Sequence, residues 1–223
     1  MKDKKLTLPQ KKYQYGYELA YQIASERLAN IGDIKQQCLR SGAQYIDPRR
    51  VSLTYLNQPY LISIPDAEVS LMTGKEEVPI REKILILHYL TQAKGTPLSN
   101  KLVTYRELKE GSLYTPVFYQ RAIKPIVDHF GSHPQQLVTA SAPLGGETAD
   151  YGDVSIIIPA FPRVPITLVL WKGDDEFPPE GNLMFDSTVP DYLTNDDIHT
   201  LCEIIAWRLV RLLETGGDSP GNR

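Results

Sequence analysis

The chain has 223 residues, enough for one sizeable hydrophobic core or for two small domains sharing a sheet. Hydrophobic residues make up 42% and charged residues 23%, an ordinary globular balance that excludes disorder as an account of the whole chain. A formal net charge of −3 gives no long-range attraction to phosphate, which argues against a nucleic-acid binder.

Residues 1–12 carry Lys2, Lys4, Lys5, Lys11 and Lys12 and no apolar run, so they read as a flexible basic head and not as a secretion signal. The longest apolar runs, 156–158 and 166–171, fall far short of the roughly 18 residues of a membrane span. A soluble, cytoplasmic protein that does not engage a membrane is the expectation. Cys38 and Cys202 are the only cysteines, far apart and outside any CxxC. This excludes a disulfide scaffold, a four-cysteine zinc site and a cysteine-held iron–sulfur cluster for this chain alone.

From residue 13 to 40 the spacing predicts a long helix, with Tyr17, Ala20, Tyr21, Ala24, Leu28 and Ile31 on one stripe. Gly32-Asp33 interrupts it, and Ser41-Gly42 stops it. Tyr17 and Tyr21 could line a pocket, but rings at this spacing are read first as core contacts. Residues 51–64 alternate as a hairpin turning at Asn57-Gln58, and 68–72 adds a further strand. A helix follows from Pro79 until Gly95, with His88 as a boundary residue without an assigned role.

Residues 96–113 read as a loop with a helical turn at 104–109. Thr115-Pro116 reads as a helix start and Gly131 as its stop, with Pro125 bending the axis. His129 and His133 have a spacing of four, but Gly131 and Pro134 break the helix that a shared metal would need. A short helix through Val138 leads to a glycine-bearing segment, 143–153, that matches neither the GxxxxGK[ST] nor the GxGxxG spacing. Residues 153–160 and 164–171 form two strands joined by Phe161-Pro162-Arg163. An acidic turn, a stiff Phe177-Pro178-Pro179 exit and a short strand at 183–185 come next. A final helix from 194 or 195 to 214 buries Ile198, Leu201, Cys202, Ile205, Leu209 and Leu212. His199, three residues before Cys202, is read with the core. The tail, 215–223, reads as disordered.

This order predicts an α+β fold, a mainly antiparallel sheet of about five or six strands with helices packed on it, as one domain over 13–214. The sharpest candidate chemistry is Asp174, Asp175 and Glu176, with Asp186 a short loop away. Such oxygen-rich groups suit hard cations, and Gly-Asp-Asp-Glu is equally ordinary turn chemistry. The EF-hand spacing is absent. Arg121 and Arg163 are the cationic candidates, each able to fork onto a carboxylate or phosphate, or to lock the acidic turn as an ion pair.

The motifs FYQRAIKPIVDHFG (118–131), LGG (144–146), YGD (151–153), AFPRVPITLVLWKGDDEFPPEGNLMFD (160–186) and YLTNDDI (192–198) occur in order. In this the chain resembles an uncharacterised family of anaerobic bacteria and archaea, a domain of unknown function, over roughly 15–213. Some members of that family carry an added iron–sulfur domain. The resemblance therefore implies work near corrinoid, one-carbon or iron–sulfur redox systems. Three functions remain open: an accessory or small-ligand-binding protein, a metal-dependent enzyme using Asp174, Asp175, Glu176 and Asp186, and a protein–protein module presenting tyrosines. Neither a cofactor nor an oligomeric state is assigned.

Overall fold

The computed structural model describes residues 10–74 and 76–216. Most of the basic head and most of the tail expected from the sequence lie outside these residues. Among the described residues the fold is α+β with antiparallel pairing throughout. The strands form two sheets, where one of five or six strands was expected. A four-stranded sheet has the order β1-β2-β3-β4, and a five-stranded sheet the order β5-β9-β8-β7-β6.

The long N-terminal helix is two segments. α1 (Gln10–Ala29) ends before Gly32, and α2 (Ile34–Ser41) begins after Asp33, whose side chain accepts the Gln36 N–H at 3.0 Å. Gly42 stops α2 with φ +75, and a Cβ there would sit 2.7 Å from Pro162. β1 (Gln44–Asp47), β2 (Arg50–Tyr55), β3 (Gln58–Ser63) and β4 (Val69–Leu71) then form the smaller sheet.

The β2–β3 turn is Leu56-Asn57, one residue earlier than expected. Both residues are left-handed (φ 46 and 61), the geometry of a two-residue hairpin whose twist matches its strands. Asn tolerates that conformation. Leu56 is held in it because its side chain is fully buried and its N–H donates to Ala160 O at 3.0 Å. That bond ties the smaller sheet to the larger.

α3 (Ile80–Gln92) packs against α1. The segment read as a loop contains β5 (Leu102–Thr104), too short for its alternation to register. α4 (Gly111–Phe118) starts four residues before Thr115-Pro116, so Pro116 lies inside the helix rather than at its head. Gly111 supplies the start instead, because a Cβ there would lie 1.9 Å from Tyr105 O. Pro125 is accommodated by a π turn, Tyr119–Ile123, leading into α5 (Lys124–Phe130). A proline removes one helical donor, and the widened turn absorbs the loss.

After α6 (Gln136–Ser141) and β6 (Glu147–Ala149), a second strand not anticipated, the chain enters the hairpin β7 (Val154–Phe161) and β8 (Val164–Trp171). Pro159 faces Pro165 at its closed end, beyond the reach of pairing from β6 and β9, so neither missing N–H costs a ladder bond. β8 is the central strand of its sheet. β9 (Glu180–Asp186) is longer than the strand expected at 183–185. α7 (Asn195–Gly216) runs past Glu214, and Ile198, Leu201, Cys202, Ile205 and Leu209 are fully buried. One contiguous buried cluster joins residues of both sheets to α1, α3 and α7.

Candidate functional site

The four acidic candidates do not meet as one set: Asp174, Asp175 and Glu176 line a small pocket in the loop after β8, and Asp186 lies away from it. Asp174 lies in the β8–β9 loop, where its Oδ1 accepts the N–H groups of Glu176 (2.8 Å) and Phe177 (2.7 Å). Those bonds hold its carboxyl below the usual carboxylate range. Asp175 and Glu176 are exposed and make no side-chain hydrogen bond or ion pair among the described residues. Asp186 sits at the far end of β9, about 20 Å from Glu180 by strand rise. There it accepts from Ser99 N and Oγ, Asn100 N, and Thr188 N and Oγ1, at 2.7–3.1 Å. Burial works to raise its carboxyl, but these donors outweigh it and bring the pKa down to about 2. Among the described residues no group of three or more His, Cys, Asp or Glu side chains is placed to share a metal ion.

The arginines are elsewhere. Arg163 lies at the closed end of the β7–β8 hairpin, a whole strand away from the acidic turn, so the lock between them does not form. Its backbone N–H donates to Tyr89 Oη at 3.1 Å. Tyr89 Oη in turn donates to Ser41 O at 2.5 Å, and its ring stacks on Phe161 at 4.1 Å. Arg121 is exposed on the π turn, and its Nη1 is 4.0 Å from Glu203 Oε2.

The side chains that do converge line a cleft of about 450 Å³ between α1, α3 and α7. Ala20, Ile84 and Leu85 give it an apolar floor, and Tyr17, Arg81, His88, Asp196 and Thr200 supply polar atoms. Local chemistry fixes the polar wall. Thr194 caps α7 and Asp197 closes the box: Asp197 Oδ2 accepts Thr194 N (3.1 Å) and Oγ1 (2.7 Å), and Thr194 Oγ1 accepts Asp197 N (3.2 Å). The other oxygen, Asp197 Oδ1, is 2.7 Å from His88 Nδ1 on α3.

Asp197 is almost wholly buried, which alone would raise its carboxyl. The bonds from His88 and Thr194 outweigh burial and keep it ionised below its ordinary pKa. A carboxylate only accepts, so His88 Nδ1 carries the proton. His88 Nε2 makes no hydrogen bond among the described residues and is not sealed from solvent. In the neutral ring it is an acceptor, and on protonation a donor. Beside it Arg81 Nη2 bonds Glu203 Oε2 at 3.0 Å, fixing the guanidinium on the rim.

A family model described as a domain of unknown function, DUF3786, matches residues 33–208. The chain belongs to that family. No curated protein and no solved structure matches it. The matched span holds the α3 and α7 walls of the cleft, whereas Gly16, Tyr17 and Ala20 on α1 precede it.

From sequence His88 reads only as a helix-boundary residue, and Arg81, Asp197, Thr200 and Glu203 receive no site role. The Thr194…Asp197 capping pattern was the one local signal. The His88–Asp197 contact spans 109 positions, and nothing in the sequence announces it. Tyr17 does line the cleft, while Tyr21 donates to Ala67 O at 2.8 Å.

Proposed function

We propose that this protein binds a small organic ligand in the cleft between α1, α3 and α7, as a cytoplasmic accessory protein and not through the acidic turn. The observation that carries this reading is the 2.7 Å His88–Asp197 hydrogen bond, which presents Nε2 at the wall of an apolar-floored cleft. The matching ligand has an apolar body for Ala20, Ile84 and Leu85 and a hydroxyl or amide N–H for Nε2. Service beside corrinoid, one-carbon or iron–sulfur chemistry, which the family resemblance implies, fits a binding role. Cys38 and Cys202 are both buried on separate helices, so neither is presented to a partner.

A thermal-shift screen of the full chain against small metabolites, followed by titration calorimetry of the hits, tests the reading. His88→Ala should weaken a true hit by about tenfold, the worth of one good hydrogen bond. Arg121→Ala, outside the cleft, should leave it unchanged. A folded His88→Ala protein that binds every hit as well as wild type would sink the reading.

A further inference from the structure

A second cleft, of about 690 Å³, opens on the other side of α3, between the β2–β3 hairpin, the start of α3 and the last turns of α7. Its floor holds an ion pair, Arg208 on α7 with Glu82 on α3, whose side chains are only 23% and 9% exposed. Three features of this floor and its walls bear on a ligand. The pair is one-pronged: Arg208 Nη2 donates to Glu82 Oε2, and no other Arg208 donor makes a close hydrogen bond among the described residues, although the Tyr60 hydroxyl, which also lines the cleft, approaches the guanidinium. None of those donors is sealed from solvent, and Arg208 lines the open space. Next, the Tyr55 hydroxyl is fully buried near the Glu82 carboxylate, makes no close hydrogen bond among the described residues, and belongs to a ring lying 5.7 Å from the Arg208 guanidinium carbon. The polar cluster is thus not saturated by the protein's own groups. Finally, the walls above it are largely apolar, with Leu71, Val78 and Leu212 among them, and Arg211 stands on the rim one turn from Arg208.

We propose that this cleft binds a monocarboxylate with an apolar chain, its carboxylate on the free edge of the Arg208 guanidinium and its chain along the apolar walls. A planar guanidinium with open donors matches a carboxylate two-pronged, and the second prong is what Glu82 leaves unused. Glu76 and Glu77 at the mouth repel multiply charged anions, which separates this ligand class from phosphates. The site shares no residue with the cleft that His88 lines, and its fate is independent of that assignment.

Titration calorimetry of the full chain with octanoate tests the proposal, with octylamine and inorganic phosphate as comparisons. Octanoate is expected to bind, and neither comparison to match it. Glu82→Gln removes the competitor for the guanidinium and should tighten octanoate binding by about tenfold, a sign that a purely structural ion pair does not produce. Arg208→Gln should abolish binding. Because that change strands Glu82, the double variant Glu82→Gln/Arg208→Gln supplies a charge-balanced, non-binding form. His88→Ala should bind octanoate as wild type does. Absence of octanoate binding to both wild type and Glu82→Gln overturns the proposal. So does binding that survives the double variant, or octylamine binding as tightly as octanoate.

Discussion

Asp186 and Asp197 show what becomes of a carboxylate taken out of water with both its oxygens hydrogen-bonded. Asp186 looked like a member of an acidic site because it follows a short acidic loop in the chain. In space it organises the Ser99–Asn100 and Ser187–Thr188 backbones. Its folded pKa, near 2, lies below the unfolded value of about 4, so its stabilisation is full above about pH 4 and is lost as pH falls toward 2. Asp186→Asn should destabilise the fold at pH 7 by about 2 kcal/mol, the scale for hydrogen bonds to a charged acceptor. Acid titrations monitored by circular dichroism should show the two proteins converging at the acid end. A gap that stays constant down to pH 2 would contradict the assignment. Asp197 has the same sign, held down by His88 and Thr194. Asp197→Asn should cost about 2 kcal/mol in urea unfolding and also free the His88 ring from its fixed tautomer. Burial of neither residue was legible in the sequence, since Asp-Asp at a helix start reads equally well as an exposed dipole pair.

Elements were legible where a hydrophobic period ran long enough to outvote local exceptions. α1, α3, α7 and the β7–β8 hairpin were expected within a few residues of where they lie. The failures were short or rested on one punctuating residue. β5 and β6 have three residues each, too few for alternation to be distinguished from chance. Thr115-Pro116 has the form of a helix start, but the close approach of Gly111 to Tyr105 O decided the matter, and only the tertiary structure contains that approach. Gly111→Ala should therefore destabilise by about 3 kcal/mol in denaturant unfolding, although alanine is the better helix former. The hairpin tip offers a test of opposite sign. Leu56→Ala loses buried surface worth about 3 kcal/mol and keeps a left-handed side chain. Leu56→Gly loses the same surface but relieves a strain of about 1 kcal/mol. Glycine should thus be no worse than alanine there, the reverse of the usual order. Equilibrium unfolding of both variants settles it.

Fold class and antiparallel pairing followed from element order, but the division into two sheets did not. Strand count alone does not say which hairpins share a ladder, and here, among the described residues, the Leu56–Ala160 backbone bond bridges the gap. Because one buried cluster serves both sheets, residues 13–214 should unfold as a unit. Trp171 sits at the end of β8 and Trp207 on α7, so fluorescence reports from two layers. Its thermal transition should coincide with that of far-UV circular dichroism, and two separated midpoints would refute the single unit. One consequence concerns α1. From Tyr21 onward the helix is anchored, through Tyr21 to Ala67 and through buried Ala24 and Leu28. Ahead of Tyr21, its residues Gly16, Tyr17 and Ala20 merely flank the cleft, before the span that defines the family. On the proposed reading, ligand contact and folding fall on successive turns of one helix, ahead of and behind Tyr21. Gly16 is the plainest place to begin: nothing lies within 4 Å of a Cβ added there. Gly16→Ala should gain about 0.5–1 kcal/mol in thermal unfolding while narrowing the entrance, so a relative could trade ligand size for robustness with a single methyl group.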